Sequence, residues 1–154
     1  MKLPSNYTST LQDENTAADN KSISVLIVDD EKYIRKLLAD LLEAHAVFNK
    51  TAEDGKDALD MLSKQKFDVV ITDINMPNMD GFSLLKNIKQ THPKTAVVVM
   101  TAYSQDYSIR EALALGAEEY VSKPFQSQEV IAVIERANWR NKNKRIGAQG
   151  LSFS

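Results

Sequence analysis

The sequence predicts an α/β domain in which a parallel sheet lies between two layers of helices. Two observations point there. Five short apolar runs alternate with five stretches of three-and-four spacing, the alternation that gives parallel strands joined by right-handed helical crossovers. Four of the runs also end on polar residues, as though each strand handed a side chain to a common edge. With 154 residues the chain is long enough for one core of this kind.

Residues 1–22 are polar and show neither helical nor strand period, so they read as a disordered N-terminal arm. The domain is expected over 23–143. Ser24-Val25-Leu26-Ile27-Val28 is a strand apolar on both faces, ending in Asp29-Asp30-Glu31. Ile34, Leu37, Leu38, Leu41 and Leu42 then recur at helical spacing, with Asp30 as the expected N-cap. Val47 to Ala52 is a weaker second strand. Asp54-Gly55 opens a helix that buries Ala58, Leu59 and Leu62. Phe67 to Thr72 is the third strand, β-branched and bounded by breakers, and it delivers Asp73 to its end. Gly81 to about Gln90 is a helix with Phe82, Leu85 and Ile88 inward, stopped at His92-Pro93. Ala96 to Met100 is the fourth strand, running into Thr101-Ala102. A helix from Asp106 to Leu115 ends on Gly116 as its C′ residue. Glu118 to Ser122 is the fifth strand, leading to Lys123-Pro124-Phe125. Ser127 is expected to cap the last helix, which turns Val130, Ile131, Val133, Ile134 and Ala137 to the sheet and packs Trp139 near its end. Residues 144–154 read as a flexible C-terminal tail.

Composition narrows the chemistry. No cysteine is present, which removes disulfides, thiolate metal sites and thiol catalysis and fits a reducing cytoplasm. His45 and His92 are too few and too far apart for a metal or triad site, and each is expected at the surface near a helix end. A net charge of -2 gives no global field towards nucleic acid or an anionic membrane. No apolar stretch approaches the ~18 residues of a membrane span, and the first residues lack a secretory h-region. The expected location is cytoplasmic.

The polar strand ends carry the chemistry. In a parallel sheet Asp29, Asp30, Asp73, Thr101 and Lys123 lie on one edge. Strand order 2-1-3-4-5, adopted from flavodoxin-like sheets, makes strands one and three neighbours and brings the three acids together. Three close carboxylates repel unless a cation is present. An oxygen-only donor set favours a hard ion, and Mg²⁺ is the expected one, with the backbone carbonyl of Asn75 as a further oxygen. Phosphoryl transfer needs little more than positioning and charge neutralisation. Lys123 offers a point charge, Thr101 a hydroxyl donor, and Asp73 a carboxylate nucleophile. Taken singly, the acids are also helix starters, Thr101 a turn residue and Lys123 a solvated loop residue. Their joint placement at four strand ends sets them apart.

In these motifs the sequence resembles the receiver domain of two-component response regulators. The pieces are Val25-Leu26-Ile27-Val28-Asp29-Asp30-Glu31, Asp73-Ile74-Asn75-Met76-Pro77-Asn78-Met79-Asp80-Gly81, Val99-Met100-Thr101-Ala102 and Tyr120-Val121-Ser122-Lys123-Pro124-Phe125, in family order. The resemblance implies a flavodoxin-like (βα)5 three-layer sandwich of order 2-1-3-4-5. It implies Asp73 as the phosphorylated aspartate, and Mg²⁺ on Asp30, Asp73 and the Asn75 carbonyl, with Asp29 acting mostly through water. Lys123 would contact the phosphoryl group, Thr101 would swing towards it, Tyr120 would rotate inward behind Thr101, and Lys123-Pro124 would be cis.

The expected function is a single-domain response regulator. It accepts phosphoryl from a sensor histidine kinase or histidine phosphotransfer protein and switches a face that binds a downstream protein. It is not expected to be a turnover enzyme, although Tyr103 is placed to shield the phosphoryl group from water. A phosphorelay intermediate carrier is the alternative. An aspartate-nucleophile phosphatase is disfavoured, because the acid it needs two residues after Asp73 is Asn75 here. No second or DNA-binding domain is evident in the sequence. Arg136, Arg140, Lys142, Lys144 and Arg145 form a basic cluster, read either as cations suited to a helix C-terminus or as a contact site for an acidic partner or nucleic acid.

Overall fold

The computed structural model describes residues 23–76, 78–102 and 106–151. The expected arm over 1–22, Pro77, Tyr103 and the last three residues lie outside them. Among these residues five strands and five helices alternate: β1 (Ser24–Val28), α1 (Lys32–Ala44), β2 (Phe48–Ala52), α2 (Gly55–Lys64), β3 (Val69–Asp73), α3 (Gly81–Thr91), β4 (Ala96–Ala102), α4 (Asp106–Ala114), β5 (Glu119–Lys123) and α5 (Ser127–Leu151). The sheet is parallel in the order β2-β1-β3-β4-β5.

Alternation along the strands divides the core in two. Leu26, Val28, Val70, Val97 and Val99 face α2, α3 and α4, meeting Ala58, Leu62, Leu84, Leu85, Ile88 and Ala112. Val25, Ile27, Val69, Ile71, Val98 and Met100 face α1 and α5, meeting Leu38, Leu42, Val130, Val133, Ile134 and Ala137. The central strand β3 is buried along its whole length, and edge strand β2 is mostly open. No helix among the described residues is long and apolar enough to cross a membrane.

Several ends differ from expectation. The N-cap of α1 is Glu31, not Asp30, and its side chain makes no capping bond. Asp29 takes the local role instead, its Oδ1 accepting from the Glu31 N–H at 2.8 Å. β3 extends to Asp73 itself, because Asp73 stays in register opposite Met100. Leu84 is buried on α3 while Phe82 lies half-buried at the core's margin. Gln126 accepts the first hydrogen bond of α5, from Val130 N–H at 3.1 Å, so Ser127 is already inside the helix. Trp139 is not packed: it is 64% exposed. α5 continues to Leu151 instead of stopping near Asn143. Lys142, Lys144, Arg145, Ala148 and Gln149 are good helix formers, whereas Gly147 and Gly150 each cost roughly 1 kcal/mol relative to alanine. His45 and His92 are the C-caps of α1 and α3, as expected.

The far edge of the sheet is held by a polar cluster. The Glu118 carboxylate is buried and accepts from Lys89 Nζ at 2.6 and 2.8 Å, from the Val97 N–H at 2.7 Å and from Asn141 Nδ2 at 3.1 Å. This ties α3, β4 and α5 to the residue before β5. Burial pulls the Lys89 ammonium below the ordinary lysine range, outweighing the hydrogen bond and charge of Glu118. Arg136 and Arg140 are not left at a helix end; both pair with Glu119, at 3.2 and 3.1 Å.

Candidate functional site: an acidic pocket at the strand ends

The carboxyl ends of β1, β3, β4 and β5 meet at one edge. Asp29 follows β1 and is fully buried; its N–H donates to Ala52 O at 3.2 Å, which carries the pairing with β2 one residue further. Arg35, one turn into α1, donates to the Asp29 carbonyl at 2.8 Å and fixes the turn from outside. Asp30 is exposed at the mouth. Asp73 ends β3 with 8% of its surface exposed. One carboxylate oxygen from each of Asp29, Asp30 and Asp73 falls within 4.8 Å of the others.

Lys123, the last residue of β5, closes the group. Its Nζ donates to Asp29 Oδ2 at 3.0 Å and lies 3.5 Å from Asp73 Oδ2. The register that pairs Lys123 with Ala102 also puts Ser122 opposite Thr101, which is buried at the end of β4. The Asn75 N–H reaches Asp73 Oδ1 at 3.4 Å, so the peptide after β3 turns back over the carboxylate. Tyr120 is not part of the pocket; it is 41% exposed. The Lys123-Pro124 peptide is cis.

The electrostatics are those of a crowded acidic site. Burial pushes the Asp73 carboxyl above its usual range, and Asp29 adds to this against the opposing pull of Lys123. Burial lowers Lys123, but its hydrogen bond to Asp29 and the charges of Asp73, Asp29 and Glu31 more than offset this, holding the ammonium above the ordinary lysine value. An oxygen-only set of three converging carboxylates, one of them partly buried beside a like charge, fits a hard divalent cation.

Two loops support the pocket. The Gly81 N–H donates to Ile74 O at 2.7 Å, closing the turn after Asp73. A Cβ at Gly81 would run into Asp73 O and lie 2.6 Å from Ile74 Cα, so only glycine admits the start of α3 this close to the strand end. Asn78, at φ 71°, donates through Nδ2 to Asp54 Oδ2 at 3.2 Å, linking this turn to the start of α2. Sequence reasoning missed both contacts and Arg35. Gly81 had a signal, the Asp-Gly pair opening a helix; the other two depend on chain reversals that no local pattern encodes.

Residues 25–135 match the response regulator receiver domain family. The chain belongs to that family. Receiver domains are phosphoacceptor signalling domains that bind Mg²⁺ at an acidic pocket and are phosphorylated by histidine kinases. This receiver is 42% identical over 113 residues to the DNA-binding transcriptional regulator NtrC of Escherichia coli K12, covering 73% of this chain and 24% of that protein. It is 41% identical over 111 residues to the sensor histidine kinase RcsC of Salmonella typhimurium, covering 72% of this chain and 12% of the kinase. The receiver thus spans about a quarter or less of these relatives' lengths. Among solved structures, the chemotaxis protein CheY4 of Vibrio cholerae superposes with a TM-score of 0.71 at 31% identity, over 75% of this chain and 98% of that one. NtrX of Brucella abortus gives 0.77 at 32% identity, over 83% of this chain and 29% of that one.

Proposed function

We propose that the receiver accepts a phosphoryl group on Asp73 from a histidine kinase or a histidine phosphotransfer protein and works as a switch. The observation that carries this reading is the position of Lys123 Nζ, 3.0 Å from Asp29 and 3.5 Å from Asp73. It is a cation set beside the one carboxylate that ends a core strand. In the transfer, an Asp73 carboxylate oxygen attacks phosphorus as the bond to the donor histidine nitrogen breaks. Lys123 then pairs with an oxygen of the incoming group, and Thr101 offers its hydroxyl as a donor from the end of β4. Asp30, Asp73 and the Asn75 carbonyl would hold Mg²⁺, with the buried Asp29 adding its charge to the group. The ion supplies neutralisation of the charge on the phosphoryl oxygens. Filling the pocket draws Thr101 inward and lets Tyr120 rotate towards the space behind it, changing the face that a downstream protein reads.

The test is incubation with radiolabelled acetyl phosphate, with and without Mg²⁺. The wild type is expected to take up one phosphoryl group only with the metal, and Asp73→Asn none. Wild-type labelling of Asp73→Asn at the same site would overturn the assignment.

A further inference from the structure

The last helix carries chemistry that the acidic pocket does not use. From Arg136 to the end the chain holds five cations and no acid, so the other 135 residues carry a net -7 of the total of -2. Net charge hides a local positive field of this kind. Among the described side chains of α5 Asn141 is the last buried, and the helix continues for ten more residues to Leu151, about 15 Å. Where it leaves the core lies an open hollow of about 410 Å³ lined by Ala117, Glu118, Trp139, Arg140, Asn143 and Lys144.

Two rows run side by side along this face. Trp139 and Asn143 form one, Arg140 and Lys144 the other, each at the i,i+4 spacing that makes helix neighbours. The indole, the only one in the chain, is 64% exposed. The acid at the hollow, Glu118, is neutralised by Lys89 at 2.6 Å and does not repel an anion. Arg140 is held against the hollow by Glu119 at 3.1 Å and by the Glu118 carbonyl at 3.3 Å.

The geometry points to single-stranded nucleic acid as the ligand of this face. An unpaired base stacks on Trp139 with its edge towards the Asn143 amide, and flanking phosphates lie on Arg140 and Lys144, within the field to which Lys142 adds charge. An acidic peptide would use the cations but leave the ring idle. A membrane surface would need an aliphatic stripe, and residues 138–144 contain no aliphatic side chain. The hollow flanks the start of β5, at the sheet edge opposite Lys123, so binding here stands or falls independently of phosphorylation at Asp73.

The test is titration of the full chain with a (dT)15 oligonucleotide and with poly(U), read by Trp139 fluorescence. Quenching is expected, with affinity falling roughly 7- to 50-fold between 50 and 200 mM salt for two to four phosphate contacts. By anisotropy of a labelled oligonucleotide, Trp139→Ala is expected to weaken binding about 5- to 150-fold, Trp139→Phe far less, and Lys144→Glu at least about 10-fold. Circular dichroism and labelling at Asp73, unchanged in these variants, show that each is folded. The proposal is overturned by absence of quenching up to 100 μM oligonucleotide or by Trp139→Ala binding as wild type. Equal quenching by polyglutamate, equal binding of duplex DNA, or tighter binding to anionic vesicles would overturn it as well.

Discussion

Asp30 is the exposed member of the acidic triplet, and it differs from its neighbour in what it gives up when changed. Asp29 is fully buried and uses both oxygens, one on the Glu31 N–H and one on Lys123. Replacing it leaves the half-buried Lys123 with Asp73 alone, 3.5 Å away. Asp30 adds charge to the cluster without such ties among the bonds that hold Asp29. Asp30→Asn is therefore expected to leave stability without metal equal to the wild type's or slightly above it. The Tm rise that Mg²⁺ gives the wild type should largely vanish, as read by thermal melts with and without the ion. Asp54 behaves oppositely. The Asp57 N–H, donating to it at 2.8 Å, holds its carboxyl below the ordinary aspartate value of 3.8 against a smaller effect of burial, with Asn78 helping. A carboxyl depressed in the folded state contributes stability that is complete above the unfolded value and is lost as pH falls through the folded one. Asp54→Ala should cost about 1 kcal/mol at neutral pH. In urea melts, that difference should shrink as pH drops below 3.8.

Among the elements, what the sequence made legible was whatever is local. The period of each strand and helix, the Asp54 cap and the turn at Gly116 all follow from neighbouring residues. At Gly116, φ is 108°, the Ala117 N–H reaches Ala112 O at 3.0 Å and the Gly116 N–H reaches Leu113 O at 3.1 Å, a double closure that glycine announces. The same closure ends α1, where the Val47 N–H reaches Leu42 O at 2.8 Å and the Ala46 N–H reaches Glu43 O at 3.0 Å. There the left-handed residue is alanine, at φ 58°, and nothing in the sequence marks it. Ala46→Gly is expected to stabilise by about 0.5–1 kcal/mol, measured by denaturant unfolding. The site's gathering of Asp29, Asp73 and Lys123 was legible because each ends a strand or directly follows one. The cluster of Lys89, Glu118 and Asn141 was not, because its partners come from three elements and Glu118 sits in a Glu-Glu pair that reads as surface. Lys89→Met should cost about 3 kcal/mol by leaving a buried carboxylate without its cation. Adding Glu118→Gln should recover part of that loss, a coupling that a double-mutant cycle reads directly.

At the scale of the whole molecule, the sheet has two working edges. The strand C-termini collect three acids and one cation. The opposite edge is braced by the Lys89–Glu118–Asn141 cluster, beside the start of a basic helix. Strand order links these edges to time. β1 and β2 pair first in the order of synthesis, β3 joins the free side of β1, and β4 and β5 follow on the same advancing side. No formed pair has to open to admit a later strand, so the sheet can grow as the chain emerges, N-terminal part first. The three acids are assembled once β3 has docked, and their cation arrives only with the last residue of β5. A nascent or truncated chain that lacks β5 therefore carries its negative charges unopposed. The charges gathered at the strand ends are therefore complete only when the final strand is in place.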